Sequence, residues 1–156
     1  MTKKVDALVI GGGPGGYPAA IRSAQLGKQV LLVEKESIGG ECLNWGCIPS
    51  KAIIEAADKF HEISHEVPDF GIEVEGVHID AKKLQEWNQS VTERLVKGVE
   101  TLLKNNGVEV LRGKARFTKP REVEVSLDSG EKEQIQANDV IIGIGADFAT
   151  IPATEV

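Results

Sequence analysis

Two cysteines separated by four residues, Cys42 and Cys47, are the side chains in this sequence best suited to redox chemistry. In a regular helix their Cα atoms would lie about 8.7 Å apart, whereas a disulfide joins Cα atoms about 4.4–6.8 Å apart. If the two cysteines pair, the backbone between them cannot be regular helix, and Gly46 and Pro49 favour such a departure. A thiol close to a helix N-terminus has its thiolate form stabilised, which suits thiol–disulfide exchange.

Two other interpretations of the cysteine pair stay open on the residues alone. The pair could bind a metal, but a structural zinc site takes four ligands and the chain has no second cysteine pair. The pair could also be two buried thiols that serve only as small apolar side chains. The special flanking residues, among them Gly46 and Pro49, favour redox chemistry over both.

A glycine-rich segment near the N-terminus has the spacing of a dinucleotide-binding loop. Gly11, Gly13 and Gly16 match the pattern G-x-G-x-x-G. An apolar run at residues 5–10 precedes them, and helix-forming residues 14–26 follow. The first glycine permits a tight turn, the second lets a pyrophosphate approach the backbone, and the third allows the helix to pack closely on the strand. The helix N-terminus then faces the phosphate charge.

Glu34 follows a second apolar run, residues 29–33, and is positioned to accept hydrogen bonds from a ribose diol. Its carboxylate would repel a 2′-phosphate, so NADP is disfavoured at this position. The alternative is a glycine-rich turn followed by a solvated glutamate. The combination of two strands, a helix and Glu34 favours dinucleotide binding.

A second motif, His61-Glu62-Ile63-Ser64-His65, matches the H-E-x-x-H pattern of zinc hydrolases. Such a site needs a third ligand, and no downstream His or Glu is convincingly positioned to supply one. We therefore expect a solvated helix face here and no metal ligands, with zinc hydrolysis by His61, Glu62 and His65 as a remote alternative.

The elements around these motifs predict an α/β fold. The strand–helix–strand pattern of residues 5–33 indicates a parallel sheet with a right-handed crossover. A helix is expected over residues 47–66, and Asp80 is expected to cap a long helix that ends at Asn105-Asn106-Gly107. Short strands are expected at residues 108–111, 122–127 and 140–144. The predicted fold is a three-layer α/β nucleotide-binding domain with a parallel central sheet and a small antiparallel β insertion. Pro18 is expected to bend the first helix.

Composition excludes several classes of function. The chain has 156 residues, a formal net charge of -6, and 41% hydrophobic against 27% charged residues. These values are ordinary for a globular protein and argue against a disordered chain. The acidic balance argues against binding to nucleic acid or to an anionic membrane. The first apolar run is too short for a signal peptide, so a cytoplasmic protein is expected.

Together the glycine loop and the segment Gly39-Gly40-Glu41-Cys42-Leu43-Asn44-Trp45-Gly46-Cys47-Ile48-Pro49-Ser50-Lys51 resemble the FAD-dependent pyridine nucleotide-disulfide oxidoreductases. Leu43, Ile48 and Ser50 are most similar to the dihydrolipoamide dehydrogenase branch of that family. The resemblance implies a Rossmann-like FAD/NAD(P)-binding domain with FAD at the glycine loop. It implies that Cys42 exchanges with the substrate disulfide and that Cys47 lies against the flavin. The cofactor-binding residues expected are Gly11, Gly13, Pro14, Gly15, Gly16, Glu34, Lys35, Gly40, Lys51, Ala115 and Gly145.

The resemblance also implies how the chain relates to a whole enzyme. Residues 1–156 correspond to the first portion of an FAD-binding domain, and the NAD-binding and dimer-interface domains of the family are not part of them. In the whole protein, electrons would pass between a lipoyl-type dithiol/disulfide substrate, the cysteine pair, FAD and NAD. We therefore expect the chain alone to be inactive, with a homodimer or a complementary chain that carries the missing domains as its partner. The alternative is a non-catalytic dinucleotide-binding module or a subunit of a split oxidoreductase. One departure is Gly143-Ile144-Gly145, where the family usually has Ala-Thr-Gly.

Overall fold

The computed structural model describes residues 2–146, which form five β-strands and four α-helices. In chain order these are β1 (Thr2–Ile10), α1 (Gly16–Gln25), β2 (Val30–Glu34), α2 (Gly40–Asn44), α3 (Cys47–His61), α4 (Ala81–Asn105), β3 (Glu109–Lys119), β4 (Glu122–Leu127) and β5 (Lys132–Ile142). A π-helical turn (Glu62–Glu66) and a short 3-10 helix (Val67–Phe70) follow α3. Within residues 2–146, none of the helices is both long enough and apolar enough to cross a membrane.

The parallel part of the sheet has β1 at its centre, with β2 on one side and β5 on the other. All five residues of β2 are buried, because the sheet is covered on both faces. Leu31 and Val33 pack into one core, whereas Val30 and Leu32 pack into the other. A continuous apolar run is typical of a parallel strand buried in this way. The predicted strand–helix–strand unit is therefore confirmed.

Two long strands, β3 and β5, connect the parallel sheet to an antiparallel one. The first residues of β3 pair with β2 in parallel, and the strand then continues as an antiparallel partner of β4. Because β5 pairs with both β4 and β1, the five strands close into a ring. Gly113 lies where β3 changes partner, and a Cβ there would overlap the Ser126 carbonyl oxygen. Val123, Val125 and Ile135 are buried inside this ring.

The strands expected at residues 108–111 and 140–144 cover only the start of β3 and the end of β5, each of which extends over 11 residues. Ile135 and Ala137 of β5 are buried while Gln136 between them is exposed. Such alternation is typical of an antiparallel strand with one face in solvent, and it leaves no continuous apolar run to recognise. The antiparallel insertion itself is confirmed.

Helices α1 and α4 cover the other face of the parallel sheet, where Ala20 and Leu103 are buried against it. Helices, parallel sheet and antiparallel strands thus form the three predicted layers. Asp80 caps α4 as predicted, since its Oδ1 accepts hydrogen bonds from the Lys82 and Lys83 N–H groups at 3.1 Å. Pro18 is the third residue of α1, so it lies in the first turn, where the reason for expecting a bend does not apply. The N–H groups of the first turn have no intrahelical acceptor, so the proline removes no helical hydrogen bond.

The helix expected over residues 47–66 ends earlier than predicted. The α-helical hydrogen bonding of α3 stops at His61, and residues 62–66 continue as a π-helical turn. Pro68 follows two residues later and has no N–H group with which to extend a helix. The composition of residues 62–66 is compatible with any helical form, so the sequence did not reveal this change.

Candidate functional site

The glycine loop between β1 and α1 is shaped by contacts between backbone atoms. Gly11 has a φ of 101°, and a Cβ there would overlap the Gly143 carbonyl oxygen. A Cβ on Gly16 would overlap the Gly11 carbonyl oxygen, so α1 starts directly against the turn. At Gly13, by contrast, an added Cβ would meet only the Gly40 Cα, at 3.7 Å. The first and third glycines of the motif therefore maintain the fold, and the second presents an open backbone surface.

Helix α1 begins at Gly16, three residues after Gly13. The N–H groups of Gly16 and Tyr17 both donate to the Gly13 carbonyl oxygen, at 2.9 and 3.0 Å. Pro14 and Gly15 complete the loop, and Gly15 is the N-cap of α1. The positive end of the α1 dipole thus lies at the open part of the loop, which favours a bound anion there.

Glu34, the last residue of β2, is buried, with 7% of its surface exposed. One carboxylate oxygen accepts a hydrogen bond from the Gly12 N–H at 2.6 Å, and the other accepts one from the Glu36 N–H at 2.7 Å. The carboxylate therefore ties the end of β2 to the glycine loop. Each of its oxygens retains a second lone pair for a further donor such as a ribose hydroxyl.

Cys42 and Cys47 form a disulfide, with their Cα atoms 4.7 Å apart. The break in helical backbone that pairing requires lies at Trp45 and Gly46, between α2 and α3. Both N–H groups of this break donate to the Glu41 carbonyl oxygen at 2.8 Å. Cys42 is half-buried in α2, and Cys47 is exposed as the first residue of α3. The pairing excludes the two alternatives of a metal-binding pair and of free buried thiols in this structure.

The glycine loop and the disulfide segment touch each other through their backbones. The Gly39 N–H donates to the Gly12 carbonyl oxygen at 2.8 Å. Gly40 lies so close to the loop that a Cβ on it would come within 2.8 Å of the Gly13 Cα. The structure thus brings together two motifs that the sequence separates by more than 20 residues.

The remaining residues expected at the site lie in different surroundings. Lys35 and Lys51 are exposed, the first after β2 and the second one turn into α3. Ala115 lies in β3 opposite Val125 and packs against the core of the strand ring. Gly145 is exposed beyond the end of β5 and has a φ of 73°. Their roles toward a cofactor stay predictions.

Sequence reasoning missed four residues that assemble the site: Gly12, Gly39, Asn44 and Gly143. Asn44 Nδ2 donates to the Gly40 and Ile38 carbonyl oxygens, and Gly143 packs on the turn at Gly11. Asn44 and Gly39 belong to the cysteine segment 39–51, which resembles the family motif. Their presence in that motif, without an assigned role, could have marked them as structural residues of the site. The sequence marked Gly143 only as part of the departure Gly143-Ile144-Gly145, and its role was not predicted because it depends on a close approach of two distant backbones.

The H-E-x-x-H motif does not form a metal site in the described part of the chain. The His61 and His65 rings stack with their centroids 4.5 Å apart at the exposed end of α3. Glu62 accepts a hydrogen bond from Lys59 at 2.8 Å, and this hydrogen bond raises the pKa of Lys59. Over residues 2–146, no group of three or more His, Cys, Asp or Glu side chains is arranged to hold a metal ion. His61, Glu62 and His65 are all exposed, as expected of a solvated helix face.

A Rossmann-like sheet whose glycine loop contacts the segment that carries a cystine defines a disulfide oxidoreductase class of nucleotide-binding domain. The chain belongs to the pyridine nucleotide-disulphide oxidoreductase family, whose model matches residues 5–156. It is 46% identical over 149 residues to the dihydrolipoyl dehydrogenase of Bacillus subtilis, covering 96% of this chain and 31% of that protein. It is 48% identical over 145 residues to the Thermus scotoductus dihydrolipoyl dehydrogenase, covering 93% of this chain and 30% of that protein. The mitochondrial dihydrolipoyl dehydrogenase of Pisum sativum is 38% identical over 152 residues, which cover 97% of this chain and 30% of that protein. The chain thus spans about a third of the length of these relatives.

Proposed function

We propose that this chain binds FAD and carries the redox-active disulfide of a dihydrolipoyl dehydrogenase-type flavoprotein. The observation that carries the proposal is the direct contact between the glycine loop and the disulfide segment, through Gly12–Gly39 and Gly13–Gly40. A nucleotide bound along the loop would therefore reach toward the cysteine pair. The names of the relatives support a lipoyl-type dithiol as the substrate class.

The residues around the loop fit an adenine dinucleotide. Gly13 leaves room for a pyrophosphate, since a Cβ there would meet nothing closer than 3.7 Å. The α1 dipole favours the pyrophosphate charge. Glu34 would accept hydrogen bonds from the ribose hydroxyls while it holds Gly12 and Glu36. Family membership favours FAD over NAD at this loop; when bound, FAD would accept two electrons from the dithiol and pass them to NAD.

The cysteine pair would react with the substrate by two successive thiol–disulfide exchanges. A substrate thiolate attacks the sulfur of Cys42, the Cys42–Cys47 bond breaks, and Cys47 leaves as a thiolate. The second substrate thiolate then attacks the substrate sulfur that is bound to Cys42. The substrate becomes a disulfide, the Cys42 sulfur is released and takes up a proton, and the protein pair has gained two electrons. The position of Cys47 at the N-terminus of α3 favours its thiolate form.

We further propose that NAD-linked turnover requires more than residues 1–156, because the relatives are about three times as long. The remaining parts would come from a longer form of this protein that pairs as a homodimer, or from a complementary chain. A cytoplasmic location agrees with reduced thiols as substrates and is part of the same proposal.

The proposed function is tested by adding FAD and then dihydrolipoamide to the oxidised protein under nitrogen. We expect a perturbed flavin absorption spectrum on binding, and two new protein thiols after reduction and removal of the reductant. A Cys42→Ser variant is the matched control and is expected to bind FAD without reducible disulfide. An unperturbed flavin spectrum together with no gain of thiols in the wild-type protein would overturn the proposal.

A further inference from the structure

Helix α2, which carries Cys42, is too short to be stable on its own. It has five residues and begins at Gly40. Gly40 and the preceding Gly39 both have positive φ values, 58° and 96° respectively. A helix of one turn gains too few hydrogen bonds to offset the cost of its nucleation. Contacts outside its own backbone ladder must therefore fix the orientation of α2 and of the Cys42 sulfur.

Asn44, the last residue of α2, supplies such contacts. Its Nδ2 donates to the Gly40 carbonyl oxygen at 2.8 Å and to the Ile38 carbonyl oxygen at 3.1 Å. Both partners can only accept, so the amide nitrogen is the only atom of this side chain that can make the two bonds. The side chain is half-buried, and it joins the C-terminal end of α2 to the two residues on either side of Gly39.

The segment held by Asn44 is the one that contacts the glycine loop. Gly39 donates to the Gly12 carbonyl oxygen at 2.8 Å, and Gly12 in turn donates to Glu34 at 2.6 Å. Gly40 lies directly against Gly13, the open position of the loop. An unbroken series of contacts thus runs from the loop to residues 38–40 and, through Asn44, to the C-terminal end of the helix that carries Cys42.

We infer that Asn44 is a positioning residue that couples occupancy of the glycine loop to the thiol–disulfide equilibrium of Cys42 and Cys47. The inference rests on the proposed function, because it needs a nucleotide at the loop. Coupling of this kind is reciprocal, so the nucleotide shifts the redox equilibrium by the same factor that the redox state shifts nucleotide affinity.

The test uses ADP, which has the adenine, ribose and pyrophosphate of the cofactor but no flavin ring that could touch the sulfurs. The disulfide is equilibrated with glutathione with and without saturating ADP, and the protein thiols are counted. Two glutathione thiols supply two electrons and two protons to the disulfide and leave as glutathione disulfide. In the wild-type protein we expect ADP to shift the equilibrium constant by about fivefold or more. Calorimetry in both redox states measures the reciprocal change in ADP affinity.

The variant Asn44→Asp replaces the donating amide by an acceptor of nearly the same shape, and we expect it to reduce the ADP effect to less than about twofold. The matched control is Asn106→Asp at the C-terminal end of α4, where the Asn106 amide donates to the Leu102 carbonyl oxygen in the same way at 2.8 Å. This control is expected to retain the full effect. Asn44→Ala serves if the aspartate variant does not fold.

Three outcomes overturn the inference. Wild-type protein that binds ADP without any shift in the glutathione equilibrium shows that the loop and the disulfide are not coupled. An equal ADP effect in wild-type and Asn44→Asp proteins shows that the coupling does not pass through Asn44. Wild-type protein that shows no calorimetric ADP binding overturns the proposed nucleotide site as well, and this distinguishes the two failures.

Discussion

The Glu34 carboxylate accepts the Gly12 N–H at 2.6 Å, which joins the end of β2 to the glycine loop after β1. Glu34 is buried, and its carboxylate is held by two backbone N–H groups. Such charge-assisted hydrogen bonds are stronger than neutral ones. Glu34 therefore has a structural role in the loop in addition to the proposed contact with a ribose.

This double role predicts two separable effects of Glu34→Ala. The buried Gly12 N–H, left without its acceptor, costs about 1–3 kcal/mol, so we expect the free energy of unfolding to fall by at least that amount. FAD affinity should fall by at least about tenfold, since a charge-assisted hydrogen bond is worth about 1.5–3 kcal/mol. Urea unfolding without FAD measures the change in stability, and calorimetry with FAD measures the change in affinity.

The control is Glu36→Ala, which removes an exposed carboxylate two residues later and should show neither effect. Unchanged FAD affinity in a folded Glu34→Ala protein would contradict the ribose contact.

Gly13 and Gly16 are predicted to respond differently to the same substitution. Gly13→Ala adds a methyl group that meets only the Gly40 Cα at 3.7 Å, so the protein should fold normally. That methyl group projects into the position expected for the pyrophosphate, and FAD affinity should fall at least about tenfold, the effect of losing roughly 1.4 kcal/mol. In Gly16→Ala the methyl group overlaps the Gly11 carbonyl oxygen, and the thermal midpoint should fall even without ligand. Equal FAD affinity of Gly13→Ala and wild-type protein would remove the loop as the nucleotide site.

Arg121, in the turn between β3 and β4, is predicted to be a site where substitution stabilises the fold. It has a φ of 66° and is the only non-glycine residue with positive φ within residues 2–146. The left-handed conformation costs an ordinary residue about 1–2 kcal/mol, and a glycine at this position avoids that cost. The greater freedom of glycine in the unfolded chain offsets about 0.5–1 kcal/mol of the stabilisation. We expect Arg121→Gly to raise the free energy of unfolding by about 0.5–1 kcal/mol. Ser129→Gly, in the turn between β4 and β5, should lower it, because Ser129 has no positive φ to relieve. Urea unfolding of both variants provides the comparison.

The parts of the fold that the sequence predicted are those whose signals are local. The run that ends at Glu34, the cap at Asp80 and the spacing of the glycines each depend on a few neighbouring residues. The full lengths of β3 and β5 were missed because part of each strand alternates between buried or half-buried residues and exposed ones. That alternation indicates a strand only once β4 is known to pair with both of them. The contact of Gly143 with Gly11 and that of Gly39 with Gly12 join segments distant in sequence. Their glycines give no periodic signal, so only the packed structure reveals why a side chain is excluded there.

The last prediction is that residues 1–156 alone do not catalyse NAD-linked oxidation of dihydrolipoamide, even with FAD added. Hydride transfer needs a nicotinamide held against the flavin, and within residues 2–146 the one G-x-G-x-x-G loop that follows a strand is assigned to FAD. Thiol exchange also benefits from a base near Cys42. His61 is the exposed last residue of α3, His65 is exposed in the π-helical turn that follows, and His78 lies in the exposed segment before α4. General acid–base assistance is worth roughly 10²–10⁴-fold, so its absence alone would reduce turnover nearly to background.

The measurement is NADH formation from dihydrolipoamide, NAD and FAD, with the Bacillus subtilis relative as the positive control. The chain alone should give no NADH above background, while its disulfide is still reduced stoichiometrically by dihydrolipoamide. Loss of that stoichiometric reduction in Cys42→Ser would show that the thiol step belongs to the cysteine pair. Sustained NADH formation by the chain alone would mean that its nucleotide site holds NAD or that a second site exists. If no second site is found, the assignment of FAD to the glycine loop has to be abandoned, since one loop cannot hold both dinucleotides during a single hydride transfer.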